Sequence, residues 1–142
     1  MSAVIATLFS LRTVFERNRV ERELADSATE ILERITRETR YASASGVGSI
    51  FDTSPGVLAL DQDATSTRIY LSGNDLYVEQ NSVAIGPLNN DDVSVDSLVF
   101  TAYTQATSTA IRTALTLSVA SPYATQSETF YVTTLLRGSY DE

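Results

Sequence analysis

The sequence contains no cysteine, histidine, lysine or tryptophan. Without cysteine there is neither a disulfide framework nor thiolate chemistry, and the redox compartment leaves no mark on the chain. Without histidine and lysine, the commonest general base, the most frequent transition-metal ligand and the Schiff-base nucleophile are all missing. Acid–base work by paired carboxylates stays open in principle, because burial can shift Asp and Glu, but no pairing is visible in the sequence. Nor is there an apolar run of the roughly 18 to 20 residues that a membrane-spanning helix requires.

What is present is a globular balance of 142 residues, 43% hydrophobic and 20% charged, which suits one domain with one modest core. The net charge of −8 is unevenly placed. Residues 1–44 are neutral, with Arg12, Arg17, Arg19, Arg22, Arg34, Arg37 and Arg40 set against seven acids. The remainder holds Arg68, Arg112 and Arg137 against eleven acids and so carries the whole net charge. Such a surface repels phosphate backbones, and nucleic acid is not an expected partner.

Residues 1–11 are apolar and uncharged up to Arg12. On composition they fit a short buried helical turn, a signal peptide without a basic start, or the stump of a longer hydrophobic segment. From residue 4 to 44 there is no Gly or Pro, which predicts one long helix. Within it Val20, Leu24, Ala28, Ile31 and Ile35 recur at spacings of three and four and form one apolar stripe. Glu30 with Arg34 and Glu33 with Arg37 stand in the favourable i, i+4 order.

Ser43, Ser45, Gly46, Gly48 and Ser49 end the helical pattern, and the hydrophobic period changes from 3.6 to 2. The clearest hairpin pairs residues 68–72 with 75–79 across Gly73-Asn74. Further strands are expected at 57–60, 93–102, 109–120 and 129–137. In 93–100 the apolar face moves from Val93 and Val95 to Leu98 and Phe100, which predicts a bulge near Asp96 or Ser97. In the longest strand Ile111, Leu115, Leu117 and Val119 share one face; in the last, Phe130, Val132 and Leu136 do.

The expected architecture is α+β: a helix over residues 1–44, packed on an antiparallel sheet of about four to six strands in residues 45–142. That domain would fold as one unit with the C-terminal half of the helix. A helix of about 40 residues runs about 60 Å, longer than such a domain is wide, so its apolar tip, residues 1–15, would project.

Several stretches are also similar to type IV pilins and to the pseudopilins of type II secretion systems. They are residues 24–42 (Leu-Ala-Asp-Ser-Ala-Thr-Glu-Ile-Leu-Glu-Arg-Ile-Thr-Arg-Glu-Thr-Arg-Tyr-Ala), 69–77 in the hairpin, 87–100 (Pro-Leu-Asn-Asn-Asp-Asp-Val-Ser-Val-Asp-Ser-Leu-Val-Phe) and the closing 133–138. Together they cover most of the chain in the family's order. The family's Gly-Phe-Thr-Leu-Ile-Glu processing site does not occur, and Ile5 stands at position 5. Residues 1–11 are read as the tail of a longer hydrophobic helix, with Met1 an added start. The resemblance implies a methylated filament subunit, held first in the inner membrane through that missing upstream segment and then extracted into a periplasmic or extracellular filament with other pilin-like subunits. Val4, Ile5, Leu8, Phe9, Leu11 and Phe15 would pack in the filament.

Two carboxylate clusters are candidate calcium loops. One is Asp61 with Asp63; the other is the run Asn89-Asn-Asp-Asp, containing Asp91 and Asp92, with Asp96 nearby. Asp61-Gln-Asp opens like an EF-hand loop but lacks the turn glycine and terminal Glu, and solvated turns are the plainer reading. Tyr70, Tyr77, Tyr103, Tyr123, Tyr131 and Tyr140 fit either ordinary strand packing or the surface of an extracellular binding or adhesion module. No catalytic residue and no cofactor are expected.

Overall fold

The structure is a computed structural model that describes residues 2–106, 108–120 and 125–136, with side chains from Val14 onward except those of Ala120 and Thr125. Helix α1 spans Ser2–Tyr41. Eight strands follow: β1 Ala44–Ser45, β2 Val57–Gln62, β3 Thr65–Ser72, β4 Asp75–Gln80, β5 Val83–Pro87, β6 Ser94–Gln105, β7 Ser108–Ala120 and β8 Thr125–Leu135.

α1 ends where its backbone groups find partners elsewhere. Ala42 N–H bonds back to Thr39 O at 3.2 Å, while Ser43 gives both its N–H and its Oγ–H to Asp61 O on β2, at 2.8 and 2.9 Å. The stripe expected on the helix is the one that is buried: Val20, Leu24, Ala28, Ile31 and Ile35 are all at or below 2% exposure. The expected ion pairs of Glu30 with Arg34 and Glu33 with Arg37 do not form. Arg34 reaches instead to Glu38, with Nε to Oε1 at 3.0 Å, because Glu38 is held on the domain side of the helix.

The strands lie in two antiparallel sheets, not one. Five strands run in the order β1-β2-β3-β4-β5 and three in the order β6-β7-β8. The expected hairpin is present, with Ser72 opposite Asp75 and Gly73-Asn74 as its loop. Gly73 sits at φ 63°, the left-handed position that a tight two-residue turn assigns to glycine. The bulge is also present: Val95 faces Leu117, Ser97 faces Thr116, and Asp96 is the extra residue. That one residue moves the buried set from Val93 and Val95 to Leu98 and Phe100.

Two strands escape the sequence pattern. β1 is only two residues long, and β5 is short and ends on Gly86 and Pro87, which break the alternation. The sheet breaks after β5 because Pro87 cannot donate to a ladder and Gly86 (φ 124°) accompanies a register shift opposite Val78/Glu79. Along residues 95–100, the edge of β6 that would meet another strand is taken up by loops. Asp52 N–H bonds to Phe100 O at 2.8 Å, Gly56 N–H to Leu98 O at 2.7 Å, Leu98 N–H to Ser54 Oγ at 3.2 Å and Val95 N–H to Asn74 O at 2.9 Å. Period-2 alternation finds strands; it does not say which edges meet.

The helix stripe, Leu58, Leu60, Ile69, Leu76 and Val78 of the first sheet, and Leu98, Phe100, Ile111, Leu115 and Leu117 of the second form one buried cluster. α1 lies along β8, with Glu21 beside Gln126 and Thr36 beside Thr134, so helix and strand run in the same direction.

Candidate assembly interface

Side chains 14 and 15 and 17–19 of α1 are exposed and Glu16 is half-buried, whereas Val20 is completely buried. Among the described residues the first buried side chain of the helix is therefore Val20, and about half of the helix lies N-terminal to it. Phe15 is 68% exposed and Val14 53%. At about 100° per residue, Phe15 lies about 160° around the helix from Ile31, on the side turned away from the sheets. Positions 4, 8, 11 and 15 share that side by their spacing. Val4, Ile5, Leu8, Phe9 and Leu11 lie on helical backbone, and their side chains fall outside the described residues. Among the described residues no helix is long and apolar enough to cross a membrane.

The carboxylate clusters are placed in separate turns. Asp63 turns between β2 and β3 with φ 52°, next to exposed Asp61, while Asp91 and Asp92 are exposed in the turn before β6. Among the described residues no three acidic side chains come together in a way that would hold a cation.

The Asn89 run does structural work of another kind. Asn89 is 5% exposed. Its Oδ1 accepts Leu76 N–H at 2.8 Å, and its Nδ2 donates to Val93 O at 2.7 Å and to Asp75 Oδ1 at 3.1 Å. It thereby fastens the β3–β4 turn to the segment leading into the second sheet. Sequence reading missed this role because an Asn among acids reads equally as a ligand loop or a solvated turn.

The tyrosines occupy two sheet faces. Tyr70 and Tyr77 stack cross-strand with centroids 5.9 Å apart, Arg68 lies 5.1 Å over the Tyr70 ring, and Tyr70 OH donates to Glu79 Oε1 at 2.9 Å. That donation, with the negative charge it faces, raises the Tyr70 hydroxyl above the ordinary tyrosine value of 10.0. On the second sheet Arg112 stacks 4.7 Å over Tyr131, which is 60% exposed, and Tyr103 is 51% exposed. Tyr123 and Tyr140 lie outside the described residues.

A groove of about 580 Å³ runs between α1 and β8, lined by Leu32, Thr36, Arg37, Arg40, Tyr41 and Val132 among others. Its sequence signal is slight: Leu32 and Tyr41 are large apolar residues standing off the buried stripe of the helix. Comparison with known protein families, with curated proteins and with solved structures gives no match for this chain.

Proposed function

We propose that the chain is a structural subunit, with a pilin-like fold, of a type IV pilus or of a pseudopilus filament like those of type II secretion systems. One observation carries the reading: α1 extends eighteen residues before Val20, the first buried side chain among the described residues, and Phe15 is exposed on the side away from its own sheets. A solvated helix on a globular core has no use for apolar positions there, whereas helices gathered at the centre of a fibre do.

The charge distribution fits the same arrangement. A neutral helical half packs beside copies of itself without strong repulsion, and the acidic sheets face water. The reading places the protein in the cell envelope, as an inner-membrane precursor that leaves the membrane for a periplasmic or extracellular filament. It assigns no catalytic residue.

The test is electron microscopy of filaments sheared from producing cells, labelled with antibody against the sheet domain. Label is expected along the fibres and should disappear with Phe15→Arg, while the variant's purified domain keeps its melting temperature. Unlabelled fibres, or labelling indifferent to Phe15→Arg, would sink the proposal.

The cross-strand Tyr70 and Tyr77 pair favours a second reading, an extracellular adhesion module that binds through the outer face of the five-stranded sheet. Retention of the purified chain on immobilised polysaccharide, lost on Tyr77→Ala, would favour it over the first.

A further inference from the structure

The four sheet edges are treated differently. β1 is two residues long, β5 carries a register shift with Gly86 and Pro87, and β6 is covered by loops along residues 95–100. These are the devices by which proteins prevent strands from pairing with strangers. Among the described residues β8 has none of them. It runs eleven residues in unbroken register with β7, contains no Pro, and carries one charge, Glu128. Among the described residues no backbone hydrogen bond reaches its outer edge.

Beside that edge lies the groove between α1 and β8. A strand added to β8 sits about 4.8 Å from it. It would close the groove and cover Leu32 and Val132. Open backbone and uncovered apolar surface therefore coincide.

We propose that β8 is the docking edge for β8 of a second copy of this chain, in antiparallel two-fold pairing that joins the two three-stranded sheets into one of six strands. Identical strands pair antiparallel around a dyad without any further matching of sequence. Local charge complementarity selects this occupant: a second β8 brings an acid, Glu128, to a groove wall on which Arg37 and Arg40 outnumber Glu33.

Because β8 and α1 run in the same direction, a dyad near the middle of β8 places Glu128 of the second copy opposite the far half of the strand, near the level of Thr134 and Thr36. Arg37 and Arg40 lie on the groove wall there with one acid, Glu33, and neither arginine is in an ion pair among the described residues. The symmetry forms the same contact twice. This interface uses neither Phe15 nor the N-terminal half of α1, and it stands whether or not the chain enters a filament.

The experiment is sedimentation of the full chain from micromolar to millimolar concentration, with thermal melting of every variant to confirm folding. A concentration-dependent dimer is expected. Thr133→Lys on β8, and Glu128→Arg or Arg37→Glu singly, should raise its dissociation constant tenfold or more, and the double reversal Glu128→Arg with Arg37→Glu should recover most of the loss. Tyr103→Lys, on the far strand of the same sheet, should change nothing. A monomer at every concentration overturns the proposal. So does a dimer that survives Thr133→Lys, one broken by Leu8→Glu alone, or a double reversal that recovers nothing.

Discussion

The side-chain amide of Gln62 donates to Glu38 twice, to its main-chain carbonyl at 2.8 Å and to its carboxylate Oε2 at 2.9 Å. Glu38 is 7% exposed, and Arg34 holds its other oxygen. One β2 side chain thus satisfies a carbonyl in the last turn of α1, where helical partners run out, and a buried carboxylate. Gln62→Ala should cost about 1–3 kcal/mol in urea unfolding. Glu38→Gln keeps an acceptor for Gln62 and should cost less. Equal losses would mean that the charge, not the amide, holds the pair.

Asn89 fastens the two sheets, and Asn89→Ala leaves Leu76 N–H and Val93 O buried without their partner. A loss on the order of 3 kcal/mol is expected. Asn89→Asp keeps the acceptor but sets a carboxylate against Asp75 Oδ1 and Val93 O, and should be no more stable at pH 7. Asp91→Ala, in the exposed part of the same run, should lie within about 0.5 kcal/mol of the parent. Chemical denaturation of the three variants checks the order.

Gly56 crosses the edge of β6 where a side chain has no room. A Cβ there would lie 3.0 Å from Leu98 O, 3.1 Å from the Phe100 ring and 3.3 Å from Ile50 O. Gly56→Ala is expected to cost about 1–3 kcal/mol as the loop is pushed off the edge. Amide hydrogen exchange should rise at Gly56 and Asp52, whose N–H groups bond to β6. Unchanged protection there would show that the loop accommodates the methyl.

Ile31 and Phe15 separate the two faces of α1. Ile31→Asp places an unpaired charge in the core and should cost several kcal/mol, whereas Phe15→Asp should leave the stability of the monomer within about 0.5 kcal/mol. Melting curves of the two variants test this directly. Comparable destabilisation by both would mean that Phe15 belongs to the domain.

Tyr70 gives the chain a pH response at its alkaline end. Its hydroxyl titrates above 10.0 because it donates to Glu79 and faces that residue's charge. The folded state therefore binds this proton more tightly than the unfolded chain does. The contribution is complete below about pH 10, the unfolded value, and is lost as pH rises through the folded value. Glu79→Gln should lower the Tyr70 midpoint in an ultraviolet titration, with Tyr70→Phe identifying which transition moves. A curve unaffected by Glu79→Gln would discount the hydrogen bond.

The helix stripe, the Gly73-Asn74 hairpin and the bulge at Asp96 were all legible in the sequence. Each is a local periodicity or turn preference, and local signals survive folding when tertiary packing agrees with them. The division into two sheets was not legible, because it depends on backbone groups of loops 50–56 and 74 reaching β6, and backbone groups leave no composition. For the same reason Asn89 read as a possible ligand and Gln62 as nothing in particular. At the candidate interface the apolar positions before Arg12 stood out because that run carries no charge, unlike the rest of the helix. The open edge of β8 became visible only once the other edges were seen to be closed.

In both sheets strand order follows chain order, so every strand pairs with the one before or after it in sequence. Each hairpin closes a short loop, and short closures are fast and entropically mild. α1 is the exception, meeting β8 across sequence separations of 105 residues at Glu21 and Gln126 and 98 at Thr36 and Thr134. The longest closure of the fold is thus that of α1 against β8, and the helix has to wait for that strand to leave the ribosome before its stripe is fully covered.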